Sequence, residues 1–174
     1  GGYVLPGATD LFIQFTFSNS KKNYSEVYSS VIDKKCKIYF ENLSKRVIQW
    51  ENYLVGSLIS ILKKRKVELK NFNCLIEGNL PLGSGISSSS SLICGFIKGI
   101  DQINSLNLNN NEILSISREV EYDFIGLKGG IMDQFTIINS KKNNLILLNT
   151  TDNSAEFIKS DLGDYKLLLL NTNK

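Results

Sequence analysis

The sequence predicts a mixed fold, α+β or α/β, because stretches with helical periodicity alternate with short strand-like stretches. Apolar residues at helical spacing predict helices at about residues 47–64, 92–100 and 112–124. Shorter apolar or alternating stretches predict strands at residues 12–17, twice within 27–40, and at 74–76, 145–148 and 165–170. A chain of 174 residues is long enough for one domain with a real core, or for a large piece of a bigger protein.

The first half of the chain begins with an extended segment and a Pro-Gly turn in residues 1–8. Residues 12–17 alternate between apolar and polar side chains, which is typical of a half-buried strand, and the two strands within 27–40 are separated at residues 33–35. In the first helix, Trp50 and Tyr53 are three positions apart and therefore share a face. Core packing is the ordinary explanation of such a pair.

The second half contains a polar connection at residues 104–111 and a glycine-rich elbow at residues 126–130. Residues 132–138 follow the elbow as an apolar segment that we predict to be strand-like or mixed. No internal repeat and no interdomain linker interrupts the pattern. The sequence therefore predicts one continuous domain.

Composition narrows the chemistry. The chain has no histidine, which excludes Ser-His and Cys-His nucleophile systems and histidine-ligated metals within it. The net charge is +3, and the dense basic run at residues 63–66 suits the C-terminal turn of a helix, so we expect no nucleic-acid partner.

Cys36, Cys74 and Cys94 lack metal-type spacing and are interpreted as free thiols in a reducing compartment. With no signal region and no apolar run of membrane length, we expect a cytoplasmic protein without membrane contact.

The segment at residues 79–92 has the features of a phosphate-binding loop. Pro81 ends an extended run, Gly83 and Gly85 permit a tight turn, and the serines from Ser87 onward lead into a helix. Serine hydroxyls can donate to phosphate oxygens or bind Mg²⁺. The segment is not a Walker loop, because no Gly-Lys-Ser/Thr closes it. From spacing alone a plain helix-capping turn remains an equal alternative, whereas a flexible linker is disfavoured by the strand and helix on either side.

The segment Pro81-Leu-Gly-Ser-Gly-Ile-Ser-Ser-Ser resembles the second signature of the GHMP small-molecule kinases, in the form found in the galactokinase branch. Three further stretches agree in order and approximate spacing: Gly1-Gly-Tyr-Val-Leu-Pro-Gly-Ala, Trp50-Glu-Asn-Tyr and Gly130-Ile-Met-Asp-Gln-Phe. The resemblance covers nearly the whole chain. It implies an α+β fold, the GHMP kinase N-terminal domain, which is similar to the second domain of ribosomal protein S5. It also implies a domain over residues 1–174 that is incomplete at both ends, since the family continues into a C-terminal domain.

The resemblance also assigns roles to residues, with ATP and Mg²⁺ as cofactors and galactose as substrate. It implies that Trp50 and Tyr53 lie beside the adenine, that Asp133 is the catalytic base at the sugar C1 hydroxyl with Gly130 beside the sugar, and that Glu121 binds magnesium with Ser89. The phosphate-binding residues it implies are Gly83, Ser84, Gly85, Ser87, Ser88 and Ser89. Without the resemblance, Glu112 or Glu119 would serve as well as Glu121, and Asp133 would be as readily a capping aspartate. The family usually has alanine where this chain has Ser90.

The function implied is phosphorylation of galactose at C1 to give galactose 1-phosphate and ADP. The alternatives are a kinase for N-acetylgalactosamine or another monosaccharide, and a galactokinase-like sensor that binds ATP and sugar without turnover. A third alternative is a fragment that is inert by itself. Nothing in the sequence predicts an oligomeric state.

Overall fold

The computed structural model describes residues 2–81, 83, 85–161, 163–166 and 168. Within these residues, seven strands and four α-helices follow one another in a mixed order, with a 3₁₀ turn at Phe40–Asn42 and a π-helix at Val120–Ile125. In chain order they are β1 Tyr3–Val4, β2 Ile13–Asn19, β3 Ser25–Ser29, β4 Lys34–Ile38, α1 Glu51–Lys64, β5 Phe72–Gly78, α2 Ser88–Asn104, α3 Asn110–Glu119, α4 Met132–Asn139, β6 Asn144–Asn149 and β7 Ala155–Lys159.

The strands form two sheets. The larger sheet has the order β2-β5-β3-β4, in which β3 and β5 are parallel and the other neighbours are antiparallel. The smaller sheet has the order β1-β6-β7 and is antiparallel. Helices α1 and α2 cover the apolar face of the larger sheet, where Phe72 and Phe96 are fully buried against each other. The α+β class predicted from the sequence is confirmed.

Most predicted elements are present with shifted ends. The first helix begins at Glu51 and not near residue 47, because the backbone N–H and C=O of Arg46 bond to the side chain of Asn52 and hold the preceding residues in a loop. The predicted helix at 112–124 changes at Val120 into the π-helix. The sequence analysis missed β7 and the two-residue strand β1.

Two further predicted segments differ in outcome. Residues 132–138 were predicted to be strand-like or mixed, but they form α4, which begins with the bond from the Phe135 N–H to the Ile131 carbonyl. Its β-branched residues favour a strand locally, and packing against α2 and α3 overrides that preference. The predicted strand at 165–170 lies partly outside the described residues, and Tyr165, Lys166 and Leu168 are not in a strand.

Within the described residues, every helix is too short or too polar to cross a lipid bilayer.

Candidate active site

The first turn of α2 stands at the centre of the candidate site. Gly83 and Gly85 have φ values of 70° and 74°, and a Cβ at either position would meet no atom within 4 Å, so these glycines are required by backbone conformation and not by crowding. Ser87 also has a positive φ of 61°, and its side chain does not cap the helix. The N–H groups at the start of α2 therefore have no partner within the helix and can bind an anion. Ser84, predicted to belong to this loop, lies outside the described residues.

An apolar cavity of about 270 Å³ lies on one side of this turn, and we call it the aromatic cavity. Trp50 and Tyr53 border it from the start of α1, and Ser88 and Ser89 border it from the start of α2. Most of its remaining lining is aliphatic, including Ile13, Ile76 and Leu92. The two predicted aromatic residues therefore share one cavity with two of the predicted phosphate-loop serines. Such a cavity has the shape and polarity that suit a flat heterocycle joined to a polar group.

A second cavity, of about 260 Å³, lies on the other side of the same turn, and we call it the aspartate cavity. Asp133, half-buried in the first turn of α4, borders it together with Ser87 and Ser91. The segment Pro6–Thr9 closes another side. Leu80 borders both cavities, so the two are neighbours across the start of α2. A carboxylate thus faces one cavity while serine hydroxyls face both.

Glu121 lies in the π-helix and is only 7% exposed. The Ser90 hydroxyl donates a hydrogen bond of 2.7 Å to Glu121 Oε1, and Gln134 Nε2 donates to Oε2. Burial raises the pKa of Glu121, the charge of Asp133 raises it further, and the two hydrogen bonds oppose the shift. Burial raises the pKa of Tyr53, and the charge of the Glu121 carboxylate raises it further. The charge of Glu121 therefore interacts both with Tyr53, which borders the aromatic cavity, and with Asp133, which borders the aspartate cavity.

The structure distinguishes Glu121 from the other glutamates that the sequence left equivalent. Glu112 caps α3 at Asn109 and makes a 2.6 Å ion pair with Arg65. Glu119 pairs with Lys63 at 3.1 Å near the surface. Both carboxylates are thus engaged in structural contacts with cations. Glu121 is the one of the three that is buried beside the serine-rich turn.

The serine that bonds directly to Glu121 is Ser90, whereas Ser89, predicted to bind magnesium together with Glu121, borders the aromatic cavity. Successive helical residues point about 100° apart, so Ser89 faces the aromatic cavity while Ser90 faces the π-helix. Ser90 and Gln134 are site residues that the sequence analysis did not assign. The available signal for Ser90 was a serine at a position where the family that the sequence resembles usually has alanine.

Gly130 does not border the aspartate cavity. With Gly129 and Glu121 it borders a third and larger cavity of about 650 Å³, lined by α3, the π-helix and the turn after β6. A Cβ at Gly129 or Gly130 would meet no atom within 4 Å, so the elbow leaves open space there.

The donor set suits magnesium better than a fully protein-ligated metal. In the part of the chain that is described, no three His, Cys, Asp or Glu side chains gather as a metal cage. The start of α2 and Glu121 offer hydroxyl and carboxylate oxygens only. Magnesium prefers such oxygens and completes its shell with water and substrate phosphates. The residues present therefore fit a magnesium ion that arrives with a nucleotide.

Comparison with known proteins identifies the family of this chain. The family model of the GHMP kinases N terminal domain matches residues 52–141. A galactokinase of Clostridium perfringens is 36% identical over 177 residues, covering all of this chain and 46% of the relative. A galactokinase of Thermosipho africanus is 31% identical over 99% of this chain and 47% of its own length. The chain thus spans about half the length of the curated relatives it matches.

Solved structures show the same fold. The crystal structure of Lactococcus lactis galactokinase complexed with galactose matches with a TM-score of 0.88 and 29% identity, over 95% of this chain and 43% of that one. The Methanococcus jannaschii mevalonate kinase, 20% identical over 92% of this chain and 50% of its own, matches in fold with a TM-score of 0.76. The chain belongs to the GHMP kinases: it has the fold of their N-terminal domain and is related to galactokinases over its whole length.

Proposed function

We propose that this chain is the N-terminal domain of an ATP- and Mg²⁺-dependent sugar kinase that transfers a phosphoryl group to the C1 hydroxyl of galactose. The observation that carries the proposal is the pair of neighbouring cavities on either side of the first turn of α2. A phosphoryl transfer needs a nucleotide and an acceptor whose reacting atoms meet at one anion-binding point. The products would be galactose 1-phosphate and ADP.

The nucleotide would bind on the side of the aromatic cavity. Its base would lie against Trp50 and Tyr53, where the lining is otherwise aliphatic. Its phosphates would reach the start of α2, where Ser88 and Ser89 can donate hydroxyl hydrogen bonds and the helix N-terminus supplies backbone N–H groups. Magnesium, when bound with ATP, would neutralise charge on the phosphate oxygens. Glu121 and a serine of this turn would hold it; Ser89 stays our prediction for that hydroxyl.

The acceptor sugar would bind in the aspartate cavity. Asp133 would accept a hydrogen bond from the C1 hydroxyl, orient its oxygen toward the phosphorus and take its proton as the new bond forms. Ser87 and Ser91 border the same cavity and can bind sugar hydroxyls or the transferred group. The galactose-bound Lactococcus lactis structure, similar over 95% of this chain, supports galactose as the sugar.

The test is ADP release from MgATP with galactose, N-acetylgalactosamine and glucose, using the longest native form of the protein. We expect turnover of galactose that falls by about 10²–10⁴-fold in Asp133→Asn, the usual contribution of a general base. Asp33→Asn is the matched control, because Asp33 is an exposed carboxylate in the turn between β3 and β4 and borders none of the three cavities.

Each outcome decides something. Equal turnover in both variants and the wild type would remove Asp133 from the mechanism. Turnover of N-acetylgalactosamine alone would keep the kinase and replace its substrate. Binding of ATP and galactose with no turnover of any sugar would refute the kinase and leave a sensor.

A further inference from the structure

Glu121 accepts a hydrogen bond on each carboxylate oxygen and forms a buried network with Ser90 and Gln134. Ser90 is 2% exposed and Gln134 is 1% exposed, so the bonds they donate to the Glu121 carboxylate are shielded from water. The three residues come from α2, the π-helix and α4, separated by 31 positions between Ser90 and Glu121 and 13 between Glu121 and Gln134. The network therefore joins the serine-rich turn to the segment that carries Asp133.

We propose that Ser90 and Gln134 are positioning residues that hold the Glu121 carboxylate ready for magnesium. The inference rests on the proposed function, since it assumes that Glu121 is a magnesium ligand. Neither residue needs to touch the metal. Each would act by fixing one oxygen of the carboxylate.

The bonding directions of these side chains support this role. A buried serine or threonine in a helix commonly bonds to a carbonyl one turn earlier, as Ser57 does to Tyr53 and Thr136 does to Met132 in this protein. Ser90 is the third residue of α2, so no carbonyl of its own helix lies one turn earlier, and its hydroxyl donates across to the π-helix. Gln134 likewise uses its amide N–H on Glu121, and its Oε1 is buried without a hydrogen-bond partner among the described residues. The Gln134 amide therefore donates to the carboxylate although its own oxygen accepts no hydrogen bond from the described residues.

The chemistry of a carboxylate explains what the two bonds achieve. Each oxygen can accept more than one hydrogen bond or metal contact, so one donor on each oxygen leaves capacity for a cation. A buried carboxylate without donors would avoid its charged form, which is the form that binds metal. Donors that fix the orientation of the carboxylate before Mg²⁺ binds also reduce the entropy lost on binding. Outer hydrogen bonds to metal ligands commonly change metal affinity by about 10–100-fold.

The experiment measures by isothermal titration calorimetry how much Mg²⁺ strengthens ADP binding in the longest native form of the protein. The variants are Ser90→Ala, Gln134→Met, Glu121→Gln and the double variant Ser90→Ala with Glu121→Gln. Ser60→Ala is the matched control, because Ser60 is a fully buried serine whose hydroxyl has no hydrogen-bond partner in the part of the chain that the structure describes.

We expect the strengthening by Mg²⁺ to fall by roughly 10-fold or more in Ser90→Ala and in Gln134→Met, with ADP affinity in EDTA unchanged. In the Glu121→Gln background, Ser90→Ala should have no further effect, because it acts through Glu121. Ser60→Ala should behave as the wild type. A merely structural role would weaken binding in EDTA as well, and would add to the Glu121→Gln effect.

The outcomes separate this inference from the function on which it rests. If Glu121→Gln keeps the full Mg²⁺ effect, Glu121 is not a magnesium ligand, and both the proposed metal site and the inference are wrong. If Glu121→Gln removes the effect while Ser90→Ala and Gln134→Met keep it, the metal site stands and the positioning role is wrong. Melting curves in EDTA establish that each variant is folded.

Discussion

The contact between α2 and β2 makes a quantitative prediction for Gly99→Ala. An added Cβ would lie 2.0 Å from Phe17 Cε2 and 2.5 Å from Cζ, far inside normal contact distance. The Phe17 ring has little room to turn away, since its centroid lies 5.6 Å from that of Phe72 and 5.9 Å from that of Phe96. Both of those rings are fully buried. The helix and strand must therefore separate, or the aromatic cluster must repack.

Two opposing terms set the magnitude. Overpacking a dense core costs about 1–3 kcal/mol. Replacing glycine by alanine inside a helix stabilises the folded state by about 0.5–1 kcal/mol. The difference spans about 0–2.5 kcal/mol, so we expect Gly99→Ala to lower the free energy of unfolding by about 1 kcal/mol, which for a domain of this size lowers the melting temperature by about 2–4 °C.

Thermal melting followed by far-UV circular dichroism measures the change. Gly129→Ala is the control, because its Cβ would meet no atom within 4 Å, and its melting temperature should stay close to that of the wild type. A Gly99→Ala protein that melts at or above the wild-type temperature would show that α2 does not approach Phe17 this closely. The close approach matters for the site, since α2 carries the serines of the candidate phosphate loop.

Three further predictions concern the site and the buried thiols. Trp50 is the chain's single tryptophan, so ATP should change its fluorescence while galactose alone should not; an emission insensitive to nucleotide would argue against a base in the aromatic cavity. Burial raises the pKa of Glu121, so the folded state holds its proton more tightly than the unfolded state, and stability falls as pH rises through that folded pKa. In EDTA, Glu121→Gln should therefore melt higher than the wild type at pH 8, with the difference shrinking toward pH 4; no difference at pH 8 would contradict the buried charge. Burial raises the pKa of Cys36, Cys74 and Cys94 to about 12, so a thiol reagent at pH 8 should modify them only after denaturation, and rapid labelling of the native protein would be the contrary result.

Periodicity predicted the elements whose local pattern and tertiary environment agree. β2 alternates between exposed and half-buried side chains, so its period of two residues is visible in the sequence. α1 and α2 each present one apolar face, which gives the period of 3.6 residues, and β5 was predicted from its continuous apolar run. α4 was missed because its β-branched residues favour a strand in isolation. Its helical bonds are stabilised by packing on α2 and α3, which no window of eight residues can reveal. β7 was missed because its burial pattern has a single covered position and therefore little apolar signal.

The candidate site shows where sequence reasoning ends. The glycine-serine loop was predicted from residue types and order and Asp133 from the family resemblance, but the partner of Glu121 depends on which side of α2 faces the π-helix. That choice is fixed by rotation: a shift of one residue along a helix turns the side chain by about 100°. A π-helix adds a residue to the turn at Glu121, so the periodicity of residues 112–124 cannot assign its direction. The ion pairs of Glu112 with Arg65 and of Glu119 with Lys63 both involve basic residues at the end of α1. These ion pairs form only when α1 and α3 are packed together. The sequence alone therefore does not show that Glu112 and Glu119 are engaged elsewhere and that Glu121 is available to the site.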